Sequence, residues 1–238
     1  MGLFDMFSKE GKLKRHARRM ADRDAMPEDR DASARWLAEE GSRPSIAGLL
    51  TRFDMNLTQD MKDRAEKQLV FDLLTGLGEP VVEPLNVWVR RCKQYAWPLK
   101  LLVALRDEDE AVTAVFEILA GPVGKATFEP ERRKELVVWL AERRHAGIVE
   151  HVAPFLKDFD EEVRYAAAET LVAQGDDSAR QPLLAVLANP EEESLRLKHR
   201  LAQVFRQRGW SVEGELGEET VLPSGFQVRE GRIVEAGR

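Results

Sequence analysis

Val152-Ala153-Pro154-Phe155-Leu156-Lys157-Asp158-Phe159-Asp160-Glu161-Glu162-Val163-Arg164-Tyr165-Ala166-Ala167-Ala168-Glu169-Thr170-Leu171 runs on through Gly175-Asp176 to Pro182-Leu183-Leu184. Apolar residues return in it at three- and four-residue spacing, the period of an amphipathic helix, and Gly, Pro and Asp break the run where helices would turn. The stretch also repeats itself. Gly147 is followed seven residues later by Pro154-Phe155-Leu156, and Gly175 seven residues later by Pro182-Leu183-Leu184, a shift of 28. Gly78 with Pro84-Leu85 repeats the pattern one residue shorter. The expected helix openings echo one another in Asp160-Glu161-Glu162-Val163-Arg164, Glu191-Glu192-Glu193-Ser194-Leu195-Arg196 and Asp107-Glu108-Asp109-Glu110-Ala111-Val112. Acids at such places offset the positive end of a helix dipole. A two-helix unit cannot bury its apolar face alone, so repeated units must stack to build a continuous core.

Working outward, the same period extends from Pro27 to Gly209 and predicts about eleven helices. They centre on Trp36 and Leu37, then on Ile46 to Phe53. A longer one starts at Thr58 as a candidate N-cap and ends at Gly76 or Gly78. The rest are Val81–Arg91, Pro98–Arg106, Glu108–Leu119, Pro130–Arg144, Ile148–Lys157, Glu161–Gln174, Ser178–Ala188 and Glu191–Arg208. After Gly209 the period stops, and Ser211 to Gly225 reads as a loop. Phe226-Gln227-Val228-Arg229 and Arg232-Ile233-Val234-Glu235 flank Glu230-Gly231, the writing of a β-hairpin. An isolated hairpin is marginal in water. It should therefore cap the last helices, together with Trp210, or offer its edge to another protein.

The quoted residues resemble the HEAT-repeat family, in the bacterial subclass also found in phycobilin lyase subunits. The likeness is specific over about 147–209 and weaker over 27–146, where the Asp…Val-Arg signature is missing. It implies an all-α solenoid of about five helix pairs, a HEAT-like superhelix, divided into a basic segment 1–20, a solenoid 21–209 and a loop with hairpin cap 210–238. It also implies that Asp160 and Arg164 knit adjacent repeats. Its concave side would be lined by second helices that hold another protein, with Glu83, Asn86, Arg90, Glu117, Glu150, Lys157, Arg180 and Gln181 as candidate contacts. A non-enzymatic scaffold is the leading expectation, and a lyase-like or chaperone-like factor for a pigment-bearing protein is the alternative. The Ala166–Ala168 run would let neighbouring helices approach closely.

The chain has 238 residues, 43% hydrophobic and 33% charged, which is a globular composition and not a disordered one. Its formal charge of −6 is uneven. Residues 1–20 hold six basic and two acidic side chains, +4, leaving −10 for the other 218. A body that acidic argues against duplex DNA as partner, and no nucleic acid is expected. Arg90-Arg91-Lys93, Arg132-Arg133-Lys134 and Arg143-Arg144 are local basic patches that read as solvated helix faces. Leu3, Phe4, Met6 and Phe7, followed by Lys9, Lys12, Lys14, Arg15, Arg18 and Arg19, read either as a weak contact with an anionic membrane or as a loosely held terminus. Gly2 lacks the hydroxyl residue at the sixth position that myristoylation wants, since Met6 stands there. A lone cysteine and no apolar signal core point to the cytoplasm.

Chemistry is sparse. There is no phosphate-cradling glycine loop, no Gly-x-Ser-x-Gly elbow and no His-Glu-x-x-His pair. His145 and His151 are six apart, off the spacing of a ligand pair on one helix face. HEAT-based hydroxylases use His-Glu dipeptides, whereas this chain has Glu150-His151, so no iron chemistry is carried over. No catalytic residue, metal or cofactor is expected. Cys92, among Val81, Leu85, Trp88 and Val89, reads as core filling. Tyr95 and Trp97 beside Arg91 and Lys93 suit an interface or a single-strand site, but in a helical repeat they pack between units.

Overall fold

The computed structural model describes residues 8–125, 129–217 and 220–237. The chain divides into two compact units, one up to Ile118 and one from Leu119. The first unit holds α1 (Lys9–Met20), α2 (Pro27–Glu40), α3 (Arg43–Leu50), α4 (Asp60–Leu77), α5 (Val82–Val89), α6 (Ala96–Leu105) and most of α7 (Glu108–Ala120). Helices α2, α4 and α6 stack in one row, and α3 and α5 in a second. That is the alternation of a solenoid built from helix pairs. Leu37, Leu49, Leu50, Leu74, Leu85 and Leu99 are fully buried between the rows.

Residues 9–20, expected as a basic and loosely held segment, are a regular helix packed on α2 and α3. Ser8 caps it by accepting from the Gly11 amide, and Met20 buries its side chain at the far end. Gly48 makes the seat, because a Cβ there would lie 2.9 Å from the Cβ of Ala17. The preceding Leu3, Phe4, Met6 and Phe7 lie outside the described residues.

The second unit holds α8 (Pro122–Lys125), α9 (Pro130–Ala141), α10 (Ile148–Val152), α11 (Glu161–Gln174), α12 (Arg180–Ala188), α13 (Leu195–Arg208) and the strands β1 (Phe226–Arg229) and β2 (Arg232–Glu235). Here α9, α11 and α13 form one row, and the 148–157 segment with α12 the other. The alanine run does what it was expected to do. Ala166, Ala167 and Ala168 are buried on α11, which packs against α9, and Thr170 Oγ1 donates across that seam to the Val137 carbonyl at 2.9 Å.

Several helix limits differ from the periodicity. The expected Ile148–Lys157 helix is α up to Val152 and then tightens to 3₁₀, because Pro154 lacks the amide that a longer α-helix needs. Helix α4 starts at Asp60 and not after a Thr58 cap; Asp63 Oδ1 reaches back instead to accept from the Leu57 amide. Helix α13 starts at Leu195 and not at Glu191, with Ser194 Oγ accepting from the Leu197 amide.

The hairpin is where the sequence put it, with Phe226 opposite Glu235 and Arg229 opposite Arg232. Its two-residue turn needs positive φ at both positions, and Glu230 (50°) and Gly231 (67°) supply it. Strand β2 packs on α13, burying Ile233, and the Val212 amide donates to the Gly231 carbonyl at 2.7 Å. Trp210 Nε1 donates to Asp177 at 2.9 Å and its ring meets Phe205 edge-on. Residues 9–20 thus pack within the first unit, and Trp210, Val212 and the hairpin within the second.

Candidate functional site

The polar side chains that sequence reading singled out fall into three groups, of which the first builds the fold. Arg133, read as part of a solvated patch, is fully buried on α9, with Nε and Nη2 donating to Asp158 at 2.7 and 2.9 Å. Arg164 does the same one repeat later, donating from Nε and Nη2 to Glu192, both at 2.9 Å. Burial pushes the Glu192 carboxyl up, but the bonds from Arg164 and from the Ser194 amide outweigh it and hold the group below its ordinary value. The resemblance implied that Asp160 and Arg164 act together; instead Asp160 caps its own helix at the Val163 amide, and the acid that Arg164 reaches is Glu192. Arg143 lies over the Trp139 ring at 3.4 Å.

A denser network was missed by sequence reading. In the first unit Glu66 on α4 accepts from Arg30 Nε and Nη2 at 2.8 and 2.9 Å and from Arg52 Nε at 3.0 Å. Asp63 accepts from Arg52 Nη2 and pairs with Lys67, both at 2.8 Å. Arg30, Arg52 and Lys67 are all buried. Burial raises the Glu66 and Asp63 carboxyls, yet the bonds from Arg30 and Arg52 to Glu66, and from Lys67 and Arg52 to Asp63, hold both below their ordinary values. Every member is paired, so the network ties α2 and α4 to the 51–54 turn and leaves no charge for a ligand. The one local signal was an arginine inside the apolar run Leu49-Leu50-Thr51-Arg52-Phe53.

The second group is aromatic or titratable and is used internally. Tyr95 is fully buried, and Trp97 stacks on Phe53 at 5.9 Å and meets Phe71 edge-on, with Lys100 over both rings. Cys92 is 0% exposed, a thiol in the core as its apolar neighbours predicted. His151, read as without a partner, has its Nδ1 2.9 Å from the Gly147 carbonyl. His145 Nδ1 accepts from the Gly147 amide. Among the described residues no group of three or more His, Cys, Asp or Glu is placed to hold a metal ion.

The third group is the proposed contact set, of which Glu83, Asn86, Arg90, Glu150, Lys157, Arg180 and Gln181 lie on or beside second-row helices and Glu117 on α7. In the first unit Glu83 on α5 pairs with Arg43. Arg90, at the end of α5, donates to Glu117 on α7 at 2.9 Å, and with Asn86 they line an open hollow of about 390 Å³. In the second unit Glu150 and Lys157 line a cleft of about 1280 Å³ between the 148–157 segment and α12. Its floor includes Pro154, Pro182 and Ala185, and Phe159 stands at its edge 60% exposed. Glu191 and Glu193 complete the rim, while Arg164 there is neutralised by Glu192. Arg180 and Gln181 are occupied from within the chain: both donate to Glu215, and Arg180 also donates to the Ser211 carbonyl.

Two rows of paired helices, each pair leaning on the next, define a helical-repeat protein. Residues 125–202 match the family model of HEAT repeats, so this part of the second unit carries repeats of the HEAT class. No curated protein and no solved structure matches the chain, so the narrower likeness to phycobilin lyase subunits has no support beyond the residues themselves. Among the described residues no helix is long and apolar enough to cross a membrane.

Proposed function

We propose that this chain is a non-enzymatic scaffold that binds a protein partner through the second-row face of its HEAT unit, in the cytoplasm. HEAT repeats generally serve protein–protein interaction. The observation that carries the reading here is the second-unit cleft, where an exposed Phe159 stands beside Pro154, Pro182 and Ala185. Large aromatics left open next to a groove are the usual anchors of an interface. Among the described residues Glu150, Glu191, Glu193 and Lys157 on this cleft form no ion pair, so the unpaired charges on its rim are three acids and a lysine. The complementary segment therefore carries basic side chains flanking an apolar one.

The test is recovery of a partner from native cells with the full chain, repeated with Phe159→Ala and with Glu150, Glu191 and Glu193 changed to Lys. The acids are exposed and the Phe159 ring lies over buried Arg133 at 5.1 Å, so an unchanged melting temperature is the check that both variants are folded. Loss of the same partner from both variants is the expected result. A partner held equally by wild type and both variants refutes this cleft as the binding face.

A further inference from the structure

We infer that the open edge of strand β1 takes an added strand from a protein partner, an extended segment that carries a carboxylate directly before an apolar residue. The hairpin turns through Glu230 and Gly231, both at positive φ, so Arg229 and Arg232 flank a two-residue turn and form its hydrogen-bonded pair. Bonding alternates along such a ladder, and the next pair, Val228 with Ile233, is the unbonded kind. The N–H and C=O of Val228 therefore point away from β2, and among the described residues no backbone group takes either. The opposite edge of the hairpin is closed: Ser211 bridges to Arg232, and the Val212 amide donates to the Gly231 carbonyl at 2.7 Å. Phe226 marks where the open edge ends, because its amide already donates to the Pro223 carbonyl at 3.2 Å.

The side chains say what the added strand brings. On the face turned to α13, Ile233 is buried and Phe226 meets the His199 ring edge-on, but Val228, directly opposite Ile233, is left 47% exposed. An apolar residue laid beside Val228 extends that layer from two strands to three, the number at which a sheet gains stability of its own. On the outer face Arg229 and Arg232 stand directly opposite each other, both exposed, and neither forms an ion pair among the described residues. Like charges so placed repel, and an acid opposite Arg229 on a third strand relieves the repulsion. In an antiparallel strand the residue that meets Arg229 immediately precedes the one that meets Val228, which fixes the order as acid, then apolar. Phosphates would satisfy the arginines but have no alternating donors and acceptors to offer the Val228 backbone. A second copy of β1 has them, yet paired at Val228 it would bring two more arginines to the outer face and no carboxylate, since Phe226-Gln227-Val228-Arg229 holds none. A charge on a sheet edge keeps out strands of like sign and admits one of opposite sign. The edge shares no residue with the Phe159 cleft, so the two surfaces can be tested separately.

The experiment titrates the isotope-labelled full chain with a short capped peptide of threonine and valine that holds one glutamate directly before a central valine. Amide shifts and amide exchange are read by NMR. Binding should slow exchange of the Val228 amide. Lysine in place of the glutamate should weaken binding about tenfold, and N-methylation of the central valine, which removes its bond to the Val228 carbonyl, by about as much. Val228→Pro removes the outward N–H without touching the β1–β2 ladder, and should abolish the shifts that the peptide causes elsewhere in β1. Arg229→Glu should invert the preference, so that the lysine peptide binds the tighter. An unchanged melting temperature and unchanged exchange of the Val212 amide show that both variants keep the hairpin. Phe159→Ala should bind the peptide as wild type does; loss of binding there places the peptide in the cleft and overturns the inference. Equal binding of the glutamate and lysine peptides, or no slowing of the Val228 amide at millimolar peptide, overturns it as well. Slowing of that amide by protein concentration alone, without peptide, assigns the edge to a second copy and overturns it too.

Discussion

Replacing Glu66 by Gln keeps shape and removes one charge from the buried network of the first unit. Of the three charge-assisted bonds, the two to Oε2 at 2.8 and 3.0 Å can then become bonds to the amide carbonyl, while the one to Oε1 at 2.9 Å is lost because the amide NH2 is itself a donor. A charged hydrogen bond is worth about 1.5–3 kcal/mol and a neutral one about 0.5–1.5, so the exchange alone costs about 3 kcal/mol. Arg30 and Arg52 have side chains only 3% and 0% exposed, and Asp63, bonded to Arg52 and Lys67, would remain as their shared counter-charge, with Asp22 acting on Arg30. Breaking a buried pair costs about 3–5 kcal/mol, and the variant should fall in that range. Native-state hydrogen exchange on the α2 and α4 amides reads the local loss. Glu117→Gln is the reference, since the Arg90–Glu117 pair is 64% and 60% exposed and should contribute less than about 1 kcal/mol. The pH dependence has a definite sign. Both carboxyls are held below their ordinary values of 4.5 and 3.8, so their contribution is complete above those values and is lost as pH falls below them. Wild type and variant should therefore converge on acidification. A loss below about 1 kcal/mol at neutral pH, or a gap that persists unchanged in acid, refutes the reasoning.

Leu171→Ala removes a fully buried side chain from α11 and should cost about 2–5 kcal/mol in urea unfolding, against almost nothing were the residue on the surface. Gly231→Ala should loosen the hairpin, because φ is 67° there and the new Cβ would meet Glu213 Cβ at 2.8 Å; faster exchange of the Val212 amide would show it. Cys92 should resist a thiol reagent in the native protein and react stoichiometrically in denaturant, whereas prompt native labelling would contradict its burial.

Legibility in the sequence followed how local each interaction is. Helix α11 and the hairpin agreed residue for residue, because an Asp160 cap, an alternating strand pair and Glu230-Gly231 act over a few positions. The three acids at 191–193 were read as a first helical turn; Glu192 is instead drawn back to an arginine 28 residues earlier, and the helix waits for Ser194. Arg30, Arg52 and Glu66 escaped notice because their pairings span 36 and 14 residues, which no periodicity reveals. Buried Arg133 looked like a surface charge for the same reason, its carboxylate being 25 residues on. Of the candidate contacts, the use of Arg180 and Gln181 by Glu215 was not readable from the repeat, because it spans more than 30 residues.

Arg133 and Arg164 are each the fourth residue of their helix, and each clasps an acid shortly before the next helix of the row. The guanidinium is thus a ruler that sets the distance from one repeat to the next. Lys198 holds the corresponding place on α13, and there the measuring stops: it forms no ion pair among the described residues, and the chain leaves the row for the hairpin. Anyone wishing to lengthen the array would have to restore arginine at that point, supply its carboxylate about a repeat later, and move the hairpin outward to close the new end.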